Sequence, residues 1–249
     1  MSKPAPYSAV VFGSTGNVGR QIVNLLAASP AVRQVVVVNR RKTNEFKGML
    51  KVREVVVPDM DKLAEAVEPA AREAGATVGF CAIGVGKGSQ KMPEAEVRKI
   101  EVQYPEAFAK GCKAGGVLSV GLMTAAGSDI KSSFTYVRII GEKEKAVTGV
   151  GIPALGIYKP SVIFGNSNTP SYLRYIFPAV QCVLPSRYHS IHKNELARAM
   201  FEGTQKALAE LQQKQAQGGA LPGPEVKSYE YSDMKPFFNR DDPDSSDNA

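Results

Sequence analysis

Cysteine is scarce in this chain and poorly placed for cross-linking: Cys81, Cys112 and Cys182 are odd in number, widely separated and without CxxC spacing. That excludes a disulfide framework, gives no zinc site and fits a reducing compartment. The two histidines, His189 and His192, have neither a set of metal partners nor a nucleophile beside them, so they read as lobe or surface residues. No apolar run approaches membrane-spanning length, and residues 1–6 lack both the apolar core of a signal peptide and the Arg-rich pattern of a transit peptide. A soluble, cytoplasmic protein without a transmembrane segment is therefore expected. The net charge is +7, yet Lys and Arg are interleaved with Glu and form no basic, aromatic stripe, so nucleic acid is not an expected partner. Internal repeats are absent.

What is present begins with Val10-Val11-Phe12, an apolar run that breaks into Gly13-Ser14-Thr15-Gly16-Asn17-Val18-Gly19 and resumes with helical spacing at Ile22, Val23, Leu25 and Leu26. Strand, glycine loop and helix in that order form a dinucleotide-binding unit. Gly13 turns the chain sharply, Gly16 leaves the backbone bare beside a pyrophosphate, and Gly19 allows close packing of the helix. The helix N-terminus then presents free N–H groups and a positive dipole end to the anion.

The second strand is Val35 to Val38, apolar throughout as in a parallel sheet covered on both faces. It runs into Asn39-Arg40-Arg41-Lys42, where an acid would hold the free ribose hydroxyls of NAD. No acid is there, and Arg40 with Arg41 suits a 2'-phosphate, so NADP(H) is the expected cofactor. Val52 to Val57 is the third strand, ending at Pro58-Asp59-Met60, with Asp59 and Met60 at the adenine edge. Thr77 to Ile83 is the fourth, and Ala82, Ile83 and Gly84 open a glycine-rich loop placed beneath the diphosphate and ribose.

A helix over 94–113 is predicted to kink or split at Pro105. The fifth strand, Val117 to Leu122, leads to Thr124-Ala125-Ala126-Gly127 at its carboxyl end, where open α/β sheets carry their chemistry. Ser132 to Val147 is the next helix and carries Tyr136. The sixth strand, Ala154 to Tyr158, leads into Lys159 and Pro160. Residues 166–192 read as a small substrate-side lobe, and Glu195 to Leu211 as an amphipathic helix. The fold expected is a single doubly wound, three-layered α/β domain over 1–220, with strand order 3-2-1-4-5-6. Residues 221–249 form a Pro-rich, then acidic tail, partly disordered.

In Gly13-Ser14-Thr15-Gly16-Asn17-Val18-Gly19, Asn39-Arg40-Arg41, residues 78–84, Lys113-Ala114-Gly115-Gly116, Lys131-Ser132-Ser133-Phe134, Tyr136, Gly141-Glu142 and Ala197-Arg198-Ala199-Met200, the chain resembles the short-chain dehydrogenase/reductase superfamily. The branch it is most similar to is the atypical, Tat-interacting-protein-like (CC3-like) oxidoreductases, and the likeness runs to about Ala207. The resemblance implies a Rossmann fold that binds NADPH, in a family of regulatory proteins as well as enzymes. It also offers an alternative location, peripheral on the mitochondrial outer surface.

Active members use a Ser to hold the substrate carbonyl, a Tyr as proton donor and a Lys one turn later that lowers the Tyr pKa. Here the Tyr maps to Tyr136, the hydroxyl positions are Thr124 and Ala125, and the Lys position is Ile140. Lys143 lies about 10 Å along the axis from Tyr136 instead of about 6 Å, and would spend most of its reach approaching the ribose. Tyr231 to Lys235 has the right spacing but is followed by Pro236. The expected function is an NADP(H)-binding reductase-like protein with an eroded catalytic set, used for regulation or as a scaffold. The alternatives are an active NADPH-dependent reductase of a small carbonyl or quinone, using Thr124 and Tyr136, and a structural subunit of a larger complex. A protein partner or a homodimer is compatible with the sequence.

Overall fold

Four consecutive valines decide the layering. In a strand successive side chains point to opposite faces, and both faces are covered here: Val35 and Val37 enter one core, Val36 and Val38 the other. Ala9 and Val11 against Val10 and Phe12 divide in the same way. Each fully buried valine contributes about 1.5–3 kcal/mol relative to exposure, so the central strands are the most strongly specified part of the chain.

The structure is a computed structural model, which describes residues 5–86, 92–165, 184–218 and 223–237. The elements that build the sheet are β1 (Tyr7–Phe12), α1 (Asn17–Ala28), β2 (Val32–Asn39), β3 (Val52–Val56), α2 (Leu63–Ala74), β4 (Ala76–Cys81), α3 (Glu94–Arg98), α4 (Tyr104–Ala114), β5 (Ser119–Met123), α5 (Thr135–Val150) and β6 (Ala154–Tyr158). A two-stranded ribbon, β7 (Ile163–Phe164) with β8 (Ile191–His192), precedes the long helix α6 (Lys193–Ala216) and a last strand, β9 (Glu225–Tyr229). All neighbours in the main sheet are parallel, in the order β3-β2-β1-β4-β5-β6-β9. Helices α1 and α6 cover one face, while α2, α4 and α5 cover the other. This is the expected doubly wound, three-layered Rossmann-like α/β domain.

One strand was not anticipated. Glu225–Tyr229, in the stretch taken for tail, extends the sheet beside β6, so the domain runs past residue 220. The Tyr229 ring stacks on Tyr158 with centroids 4.7 Å apart. This pairing joins residues far apart in sequence, and the strand's other four residues are exposed, so little local patterning marks it. Most of the expected lobe (166–183), Cys182, part of the glycine-rich loop (87–91) and the acidic end (238–249) lie outside the described residues.

The expected break at Pro105 takes a specific form. Pro105 has no N–H to give the Glu101 carbonyl, and its ring crowds that oxygen. The chain responds just upstream with a π turn, Lys99–Gln103, in which the Tyr104 N–H reaches back to the Lys99 carbonyl. Helix α4 then starts with Pro105 in its first turn. The inserted π turn leaves Glu101 buried, at 1 % exposure.

Helices α3 and α5 are tied by Arg98, whose Nε donates to Glu142 Oε2 at 2.6 Å and Nη2 to Oε1 at 3.2 Å. Those bonds hold the Glu142 carboxyl below its ordinary value of 4.5. A lowered carboxylate adds stability above its unfolded pKa, and that stability disappears as pH falls through the folded value. Arg98→Met is therefore expected to lower stability near neutrality and to flatten the loss of stability below about pH 4.5, as read from urea unfolding at successive pH values.

Candidate functional site

The site lies along the carboxyl ends of β1 to β6, where the loops expected to hold a cofactor meet. Gly13 adopts φ +87°, and a Cβ on it would lie 2.7 Å from the Ala82 carbonyl carbon and 2.8 Å from the Ile83 nitrogen. The glycine loop therefore sits backbone to backbone against the loop after β4. Gly16 caps α1 without any side-chain cap, and the first turn contains no acid. A Cβ on Gly19 would collide with the Gly13 carbonyl oxygen. The close packing expected of Gly19 is thus against the glycine loop itself. The bare cradle and the uncapped helix N-terminus fit a diphosphate.

At the other end, Arg40 and Arg41 are exposed just past β2, and neither makes an ion pair among the described residues. Ser14 is buried and donates to Asn39 Oδ1 at 2.7 Å, while Asn39 Nδ2 donates to Glu54 Oε1 at 2.8 Å. Glu54 also accepts from the Thr43 N–H at 2.9 Å. Sequence reasoning missed this chain, which joins the glycine loop to the arginine loop, because Glu54 comes from the neighbouring strand β3. Thr15 is exposed and Asn17 half-buried at the loop, whereas Val18 is packed in the core. Asp59 caps the turn after β3, accepting from the Asp61 N–H at 3.1 Å, and the Met60 side chain enters the core.

Ile140 is buried, at 2 % exposure, where the resemblance places a lysine. Thr124 Oγ1 donates to Glu144 Oε1 at 2.9 Å, and the same carboxylate takes Ser128 Oγ at 2.5 Å and Lys159 Nζ at 2.7 Å. The one hydroxyl proton of Thr124 is thus spent inside the protein. Pro160 is buried, and its carbonyl accepts from the Ala126 N–H at 2.8 Å, joining the ends of β5 and β6.

Tyr136 stands in the first turn of α5 with 45 % of its surface exposed. Desolvation of the phenol, reinforced by Glu101, pushes its pKa well above the ordinary 10. A lysine would do the opposite. Lys143 is almost fully buried, its ammonium 3.0 Å from Glu101 Oε2 and 3.1 Å from the Ile83 carbonyl oxygen. Its reach is spent there.

The histidines serve structure: His192 caps α6 in a reciprocal pair with Glu195, and His189 Nε2 lies 3.2 Å from the Leu184 carbonyl oxygen. Among the described residues no cluster of three His, Cys, Asp or Glu is placed to hold a metal, and no helix is long and apolar enough to cross a membrane.

No protein-family model matches the chain. Protein FMP52-1, mitochondrial, of Scheffersomyces stipitis is 29% identical over 162 residues, covering 65% of this chain and 70% of that protein. Protein HTATIP2 of Rattus norvegicus is 29% identical over 157 residues, 63% of this chain and 62% of that protein, which is less than two thirds of its length. Among solved structures, a Serratia marcescens short-chain dehydrogenase/reductase superposes with a TM-score of 0.62 at 13% identity, over 94% of this chain and 100% of that one. MoeE5 in complex with UDP-glucuronic acid and NAD superposes with a TM-score of 0.61 at 13% identity, over 92% and 91%. These structural likenesses establish the fold. The cytoplasmic location expected from the sequence is contradicted by the relatives, since the FMP52 proteins of Scheffersomyces stipitis, Candida albicans and Emericella nidulans are all named mitochondrial. In sequence the chain is similar to the FMP52 and HTATIP2 proteins and in fold to Rossmann-like short-chain dehydrogenase/reductases, which is consistent with the resemblance to the atypical, Tat-interacting-protein-like branch.

Proposed function

We propose that this protein binds a nicotinamide dinucleotide at the carboxyl edge of its sheet, prefers NADP(H), and uses the bound cofactor to stabilise or switch a protein surface. The observation that carries the reading is the state of the three groups a reductase would need. Thr124 is bonded to Glu144, Ile140 stands in place of the lysine, and Tyr136 is made less acidic by burial of its phenol, reinforced by Glu101. A phenol so shifted donates its proton poorly near neutral pH.

Gly13, Ser14, Thr15, Gly16, Asn17, Val18 and Gly19 would hold the diphosphate, with Asp59 and Met60 at the adenine. Arg40 and Arg41 would hold the 2'-phosphate, and Ala82, Ile83, Gly84 and Pro160 the nicotinamide side. When bound, the cofactor supplies a hydride donor or acceptor. The protein's residues supply the cradle, and a ligand held there at one hundred times its Kd adds about 2.7 kcal/mol to the folded state. The names of the FMP52 relatives support a mitochondrial location.

Replacing both arginines by alanine tests the cofactor choice. Each charge-assisted phosphate contact is worth about 1.5–3 kcal/mol, so Arg40→Ala with Arg41→Ala, which removes two, is expected to raise the NADPH Kd by at least about 100-fold and leave NADH binding unchanged. Isothermal titration with both cofactors reads the result. Tighter binding of NADH than NADPH by the parent protein would overturn the assignment.

A further inference from the structure

We propose that Glu101 and Lys143 act together as a positioning pair for the cofactor, holding the loop after β4 in the shape that receives the nicotinamide ribose. The inference rests on the cofactor-binding reading above. Both side chains are only 2 % exposed and their charged atoms are 3.0 Å apart. The pair is bonded to the loop at two points. Lys143 Nζ donates to the Ile83 carbonyl at 3.1 Å, and Glu101 Oε1 accepts from the Val85 N–H at 3.0 Å. Between those anchors lies Gly84, where a Cβ would come within 3.3 Å of the same Glu101 oxygen. Glycine thus permits the carboxylate to lie flush against the loop backbone.

The arrangement has a cause in the sequence. Pro105 forces the chain into the Lys99–Gln103 π turn, and that turn carries Glu101. Insertions of this kind recur at functional sites because they redirect one side chain out of helical register. Lys143 comes from the opposite direction, on α5, two turns beyond Tyr136 and on nearly the same helical face. The other edge of the anchored loop touches the phosphate cradle, since Gly13 packs on the backbone of Ala82 and Ile83. One buried charge pair therefore fixes a segment in contact with the glycine loop.

A buried ion pair is not explained by stability, because a well-packed apolar pair of similar volume is often as stable. Preorganisation explains it better: a loop already held in its bound shape costs less ordering when the ligand arrives. The effect falls on the part shared by NADPH and NADH, so it is distinct from the discrimination assigned to Arg40 and Arg41.

The test uses the full chain with Glu101→Leu plus Lys143→Met, which removes both anchors, and Glu101→Gln plus Lys143→Met, which keeps an acceptor for the Val85 N–H. Binding of NADPH and of NADH is titrated at a temperature where thermal melts show every variant folded, and exchange of the Val85 amide is followed by NMR. The first variant is expected to raise both Kd values by the same factor, at least about tenfold, and to speed Val85 exchange. The second is expected to restore slow exchange and most of the affinity. Unchanged Kd values in a folded first variant would overturn the proposal, as would a loss confined to NADPH. If the parent protein binds neither cofactor, the cofactor reading fails by itself. Slow Val85 exchange in the first variant would separately show that the pair does not hold the loop.

Discussion

Gly19→Ala is expected to abolish cofactor binding, raising the NADPH Kd by at least about 100-fold, and to destabilise the fold by about 1–3 kcal/mol. The added methyl would meet the Gly13 carbonyl oxygen, which is backbone with no rotamer to yield. Either α1 moves away from the glycine loop or the loop changes shape. The first displaces the helix N-terminus from the anion and the second closes the cradle against Ala82 and Ile83. A titration of NADPH together with a urea melt separates the two losses. Retained affinity in a folded Gly19→Ala protein would mean that the diphosphate does not sit on this loop.

Lys143→Met alone is expected to be the most destabilising conservative change in α5. It leaves Glu101 buried, charged and without its partner, a situation that costs about 3–5 kcal/mol. For a chain of this length that corresponds to a melting temperature lower by about 6–20 °C. Adding Glu101→Leu removes the orphaned charge and is expected to recover much of the loss. The sign of this recovery is the informative part. If the double variant melts lower than the single one, the pair is not coupled as its geometry requires.

The sequence displays the parts of this molecule that are local. The run from Val10 to Gly19 and the four valines of β2 carry their own periodicity and turn chemistry, so strand, loop, helix and sheet order could be read directly. The split at Pro105 was also legible, because the missing N–H acts within one turn. What could not be read depends on partners far along the chain. Glu101 is an ordinary surface-looking acid until the π turn turns it inward to Lys143, forty-two positions away. Glu54 reaches Asn39 across a strand pairing, and β9 is held by Tyr229 stacking on Tyr158. The spacing of Lys143 from Tyr136 is visible in the sequence, whereas the ion pair with Glu101 leaves no mark in local sequence.

Ile140 where the resemblance places a lysine and the engagement of Thr124 separately support the proposed reading of an eroded site. Together they leave Tyr136 as the only member of the expected set facing outward, and burial of its phenol, reinforced by Glu101, opposes its ionisation. On the proposed reading the cofactor is held without being consumed.

The most direct measurement follows the 340 nm absorbance of NADPH bound to the purified full-length protein, in the presence of a panel of aldehydes, ketones and quinones, with Tyr136→Phe in parallel. The account predicts that NADPH binds, stays reduced, and shows the same negligible oxidation in both proteins. Turnover that falls more than about tenfold in Tyr136→Phe would contradict it and identify a working reductase.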